Sequence, residues 1–254
     1  MDVYENPQIL NEYLLFHYGT EAQVLPYDFG PRTALNFPVR CVRNLIDGAA
    51  TADGGGTFDL AYDLGCAVGR STFELGQFAS RVRGYDLSHA FIGAATSLLD
   101  RGSLAIDVLI EGERTERMDV HGPNVAMHSD IGFDVGDAVD LAEKLPPADI
   151  VLAANLLCRL PTPRRFLIAM SRLVKPGGQL LLVTPFTWLD SFTPHREWPR
   201  NAAGEAMSGA AWIEDILDQH FILEHSEDMP FLIREHARKF QWTVSFGARW
   251  RRRS

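Results

Sequence analysis

Cysteine is scarce in this chain and long apolar runs are missing. The three cysteines among 254 residues, Cys41, Cys66 and Cys158, stand far apart and in no metal-ligand spacing. That excludes a disulfide framework and a zinc knuckle, and no metal site is expected. No run reaches the about 18 apolar residues that a membrane-spanning helix needs, so no membrane partner is expected. Internal repeats and low-complexity segments are also missing. Basic charge is in deficit: the net charge is -9. A surface of that sign argues against nucleic acid as the main partner. The one basic run, Arg249 with Arg251, Arg252 and Arg253, reads as a solvated tail. Residues 1–7 are acidic and hold no signal-peptide apolar region, so a reducing, cytoplasmic setting is the expectation.

What is present suits one α/β domain with additions. The apolar content of 46% supports a sizeable core. Residues 6–18 read as an amphipathic helix, with Ile9, Tyr13 and Phe16 and then Leu10, Leu14 and His17 at three- and four-residue spacing. A second helix is expected over 38–47, and the small residues 49–56 read as a linker. These give an N-terminal helical cap over 1–56 and a main domain over 57–254. The main domain alternates strands (58–64, 82–86, 131–135, 149–154, 179–186) with helices (70–79, 88–101, 162–174, 208–219). A β-hairpin insertion is expected over 104–121, within a region reaching to about 130, and a last strand pair near 220–227 and 242–250.

The organising stretch is Asp63-Leu64-Gly65-Cys66-Ala67-Val68-Gly69-Arg70. A strand that runs into a glycine-rich turn and then a helix is the entry to a nucleotide-type pocket in an open α/β sheet. A dinucleotide fingerprint needs G-x-G-x-x-G, which is not met, and this counts against an NAD-dependent oxidoreductase. The series resembles the D/E-x-G-x-G-x-G motif of class I S-adenosylmethionine (SAM) methyltransferases, with Ala67 at the middle glycine. The resemblance implies that Asp63 lies near the amino-acid end of SAM. Asp86, at the end of the second strand, is placed to accept both hydroxyls of a ribose. By the same resemblance Asp137, within Gly136-Asp137-Ala138, accepts from the adenine amino group. Asn155 ends the fourth strand, and Lys175-Pro176-Gly177-Gly178 matches the turn before strand five in that class. The expected cofactor contacts are Asp63, Gly65, Cys66, Ala67 and Gly69; Asp86 and Leu87; Gly136, Asp137 and Ala138; and Asn155 and Leu156. The expected fold is a doubly wound, Rossmann-like methyltransferase sheet, and S-adenosylhomocysteine is the expected by-product.

Five further segments, 12–19, 36–42, 153–161, 184–189 and 229–242, resemble the 4-mercaptohistidine (5-thiohistidine) N1-methyltransferases of ovothiol biosynthesis. The resemblance spans nearly the whole chain. It implies a stand-alone enzyme acting on a small molecule, with a separate sulfoxide synthase or lyase of the same pathway as partner. A monomer or homodimer is expected. The ring nitrogen must be unprotonated to attack, and Glu235, His236 and His17 are the candidate proton acceptors. Arg40 and Arg234 are candidates to grip the α-carboxylate. Tyr13, Tyr18 and Trp188 could wall the pocket. The 229–242 segment and the cap are expected to close over the crevice. A methyltransferase for another small molecule and a non-catalytic SAM-binding protein are the alternatives.

Overall fold

The computed structural model describes residues 3–48, 58–123 and 129–254. The linker expected over 49–56 lies outside the described residues, as does part of the insertion expected to run to about 130. Near-continuous apolar runs place strands β1 (Phe58–Leu64), β6 (Ala148–Ala154) and β7 (Val174–Thr184) in the middle of the sheet, covered on both faces. With β2 (Ala79–Asp86), β5 (Asp130–Val135), β8 (Phe221–His236) and β9 (Lys239–Arg252) they form one seven-stranded sheet, ordered β5-β2-β1-β6-β7-β9-β8. The first five are parallel, β9 is antiparallel to both neighbours, and the strand order reverses between β1 and β6. Ligands in such sheets bind at the carboxyl ends of the strands around that reversal.

Helices cover both faces, with ends set by local chemistry. α1 (Pro7–Tyr18) begins at Asn6, whose side chain accepts from the Gln8 N–H at 2.8 Å, and ends at Gly19. α2 (Glu21–Val24) is a single turn held by a Thr20–Gln23 capping box. α3 (Phe37–Arg43) stops four residues before the expected Asp47. Leu45 and Ile46 are buried in the turn that follows, so tertiary packing rather than helix continues the apolar pattern. α4 (Arg70–Leu75) is likewise shorter than expected, because β2 begins at Ala79. α5 (His89–Arg101), α7 (Pro163–Leu173) and α8 (Gly209–Leu217) fall where expected. α6 (Ala138–Lys144) was not expected, and Asp137 is its N-cap.

The insertion is a two-stranded ribbon, β3 (Ser103–Glu111) and β4 (Arg114–His121), separate from the main sheet. The last hairpin is longer than expected. β8 and β9 pair continuously from Phe221 and Arg252 to a tip near Ala237, and only the part of β9 up from Phe246 pairs with β7. Segment 229–242 is therefore not a separate lid but an extension of the hairpin past the end of β7. Pro230 sits in β8, the edge strand, where a missing N–H is tolerated. The expected basic tail is also corrected. It forms the sheet-centred end of β9, with Arg249 and Arg251 bound to Glu224, Arg251 to Asp47, and Arg252 to the Val174 carbonyl.

Three pieces outside the parallel core meet beyond the carboxyl edge. α1 packs on the β3–β4 ribbon and on β8, and α3 packs on β8 and α4. Phe16, Phe37 and Phe231 form one ring cluster, with centroids 4.9 to 6.0 Å apart. The Tyr27 hydroxyl donates to the Ala237 carbonyl at the hairpin tip (2.8 Å). This roof stands over the end of the sheet where the strand order reverses.

Candidate cofactor and substrate crevice

The turn after β1 is built from residues in the left-handed region: Gly65 (φ 73°), Ala67 (φ 47°) and Gly69 (φ 88°). A Cβ on Gly65 would come within 2.9 Å of Leu156, and one on Gly69 within 2.6 Å of Phe133. Both positions thus need glycine for space as well as conformation. Ala67 takes the same conformation at a strain cost of about 1 kcal/mol, so the motif keeps its shape without the middle glycine.

Asp63 is fully buried beneath this turn and accepts from the Thr72 hydroxyl at 2.7 Å. Burial, reinforced by the nearby Asp86 charge, pushes its carboxyl up to about 7 against the pull of the Thr72 bond. Asp86 ends β2. One of its oxygens accepts from the Ala67 N–H and the other from the Ser88 N–H, both at 2.9 Å. These bonds fix the carboxylate plane over the crevice. Leu87 is 59% exposed, and Val135, at the end of β5, is also uncovered. Asp137 caps α6 through Oδ1, which accepts from Val139 (2.8 Å) and Asp140 (3.3 Å). Asn155 directly follows β6 with φ 54°, and its Oδ1 accepts from the buried Ser245 hydroxyl at 2.8 Å. That bond orients the Asn155 amide.

These features fit a sulfonium nucleoside carrying an amino acid. Asp63 is a buried acid with no cation among its influences, and an α-ammonium would supply one. The Asp86 carboxylate suits a diol, and the uncovered Leu87 suits the flat face of a purine whose amino group Asp137 can receive. Cys66 and Ala138 are buried in the same rim.

The roof carries the remaining candidates unevenly. Tyr18 donates to the Val68 carbonyl at 2.6 Å, which rests the end of α1 on the glycine turn. Tyr13 packs on Phe91 (4.8 Å) and on His17 (6.0 Å). The Nδ1 of His17 is buried and has no partner among the described residues. Burial, with a smaller push from Arg70, holds this imidazole down to about 3, so it is neutral at pH 7. Glu235 and His236 sit at the tip of the β8–β9 hairpin and are engaged there. Glu235 pairs with Lys239 (2.6 Å) and accepts from Gln241 (2.8 Å), and His236 Nδ1 accepts from the Arg238 N–H. The bonds to Lys239 and Gln241 hold the Glu235 carboxyl below the usual range, although partial burial opposes them.

Neither arginine singled out from sequence is brought to the strand ends. Arg40 donates to the Leu35 and Pro230 carbonyls and covers Phe37, tying α3 to β8. Arg234 is buried and donates to the Gln23 carbonyl of α2 at 2.7 Å. Trp188 packs edge-on against Trp212 of α8 (6.0 Å). Two residues that sequence reasoning passed over do reach the crevice. Tyr4, in the turn Val3–Glu5, packs against Phe91 (5.6 Å) and Tyr13 (6.1 Å) and feels the Asp86 charge. Its hydroxyl also feels the charge of Arg159, which stands just past the end of β6. The signal was available for Arg159, which lies inside the 153–161 segment. Tyr4 had none beyond its place before the α1 cap.

Comparison with known proteins shows a shared fold. The family model described as a methyltransferase domain matches residues 62–182. The N-methyltransferase NodS from Bradyrhizobium japonicum WM9, in complex with S-adenosyl-L-homocysteine, superposes with a TM-score of 0.53 at 15% identity, covering 98% of this chain and 100% of that one. A SAM-dependent methyltransferase from Methanosarcina mazei gives a TM-score of 0.51 at 18% identity, covering 77% of this chain and 92% of that one. No curated protein sequence matches the chain.

Proposed function

We propose that this chain, a SAM-dependent methyltransferase of the class I fold, methylates a ring nitrogen of 4-mercaptohistidine. One observation carries the reading. The five segments that resemble the mercaptohistidine N1-methyltransferases lie far apart in sequence but meet in the fold. They are bonded to one another or to the cofactor turn: Tyr18 to Val68, Arg40 to Pro230, and Arg159 to Thr187. Segments distributed over the surface would have argued only for common ancestry.

When bound, SAM supplies an electrophilic methyl: the ring nitrogen takes it as the carbon–sulfur bond breaks and the thioether keeps the electron pair. The protein's part is alignment and exclusion of water. Asp63 and Asp86 hold the donor by its ammonium and its sugar. α1 roofs the acceptor with Tyr13 and His17. The acceptor reacts as the thiolate with a neutral ring, so its proton is lost before the transfer. His17, held neutral, then accepts a hydrogen bond from the ring N–H that is not attacked and thereby selects the other nitrogen. Glu235 and His236, bound within the hairpin tip, act on its fold.

The test is methyl transfer from SAM to 4-mercaptohistidine, histidine and ergothioneine, read by mass spectrometry. A product one methyl heavier from 4-mercaptohistidine, with histidine and ergothioneine much slower, is expected. Turnover of histidine alone sinks the reading.

A further inference from the structure

We infer that Arg159 is the residue that grips the substrate's α-carboxylate, with Tyr4 and Tyr13 as the wall beside it; this rests on the thiohistidine reading above. The turn Leu157–Arg159 follows β6 directly, so Arg159 stands at the strand whose carboxyl end borders the reversal in strand order. Its guanidinium is held but not neutralised. Nη1 donates to the Thr187 carbonyl (2.9 Å) and more weakly to the Cys158 carbonyl (3.4 Å). The cation lies 4.9 Å from the Phe192 ring centroid. Tyr4 lies near enough to feel its charge. All of these partners are neutral, and among the described residues no carboxylate lies within ion-pair distance of Arg159.

Other arginines of the chain are placed differently. Arg43, Arg70, Arg81, Arg83, Arg249 and Arg251 all meet acids, while Arg40 and Arg234 are committed to carbonyls away from the strand ends. Asp86, which acts electrostatically on Tyr4 and Tyr13, already accepts a backbone N–H on each oxygen and is assigned to the ribose. A half-buried guanidinium fixed by carbonyls through one nitrogen presents its other edge to a planar anion, and a carboxylate matches that edge with two parallel bonds. The aromatic wall excludes water and strengthens the pair.

The experiment compares 4-mercaptohistidine with its decarboxylated amine, 4-mercaptohistamine, in the full chain and in Arg159→Met and Arg159→Lys. SAM affinity is measured alongside by calorimetry. The unaltered chain is expected to favour the carboxylated substrate by about 30-fold in kcat/KM, the size of one charge-assisted contact. Arg159→Met should lose most of that preference, chiefly through KM, while the amine's kcat/KM and the SAM affinity stay within about threefold; Arg159→Lys should fall between. Equal losses on both substrates, or weakened SAM binding, overturn the assignment and leave the methylation reading standing. Failure of the unaltered chain to turn over either thiol overturns that reading and this assignment with it.

Discussion

Asp63 shows how much one buried carboxyl can report. Its value of about 7 in the fold stands above its unfolded value near 3.8. The protonated form is the one that the ligand-free fold prefers. Its contribution to stability is full below the unfolded value and is lost as pH rises through about 7. The Tm of the ligand-free protein should therefore fall between pH 5 and pH 8, and Asp63→Asn should flatten that slope. S-adenosylhomocysteine should flatten it in the unaltered chain too, because under the proposed reading its ammonium would stabilise the ionised carboxylate. The same Asp63→Asn chain should bind SAM at least about tenfold more weakly, measured by calorimetry. The buried Nδ1 of His17 has no partner among the described residues. His17→Phe keeps the packing with Tyr13 and Phe16 but loses the acceptor. It should leave SAM affinity and Tm nearly unchanged and lower kcat/KM for 4-mercaptohistidine by about 10- to 100-fold. Residue-level chemistry was partly legible in sequence. The acids at strand ends carry their own spacing, whereas the pairing of Tyr4 with Arg159 joins residues that only the folded chain brings together.

Among the elements, those defined by local signals were the ones foreseen. Proline and asparagine start α1, Ser88 and Gly102 bound α5, and glycines flank the turn after β1. The misses have physical causes. α6 has seven residues and little periodicity, and its start coincides with an acid read only as an adenine partner. The continuation of β8 past 227 runs through Pro230, which is tolerated there because β8 is an edge strand, a property of the sheet rather than of the segment. Arg40 belongs at this scale, because its bonds join α3 to β8. Arg40→Met should destabilise the protein by about 1–3 kcal/mol in denaturant unfolding and leave KM for the thiol substrate within about threefold. A large rise in KM with unchanged stability would make Arg40 a substrate group instead.

At the scale of the whole molecule, the order of signals along the sequence was enough to specify the sheet, since each parallel strand ends in a recognisable turn. The roof was less legible. It depends on α1, the β3–β4 ribbon and the β8–β9 tip finding one another, and nothing local encodes those contacts. Its fastening has a kinetic meaning. The Tyr18 hydroxyl ties α1 to Val68, in the glycine-rich loop to which the donor is assigned under the proposed reading. A loop braced by the donor offers α1 a firmer seat, so the acceptor chamber is completed second. Calorimetry should show 4-mercaptohistidine binding at least about tenfold more tightly with S-adenosylhomocysteine present than without it, and initial rates should follow a compulsory order with the nucleoside first. Tyr18→Phe, which frees that clasp, should let the two guests arrive in either sequence.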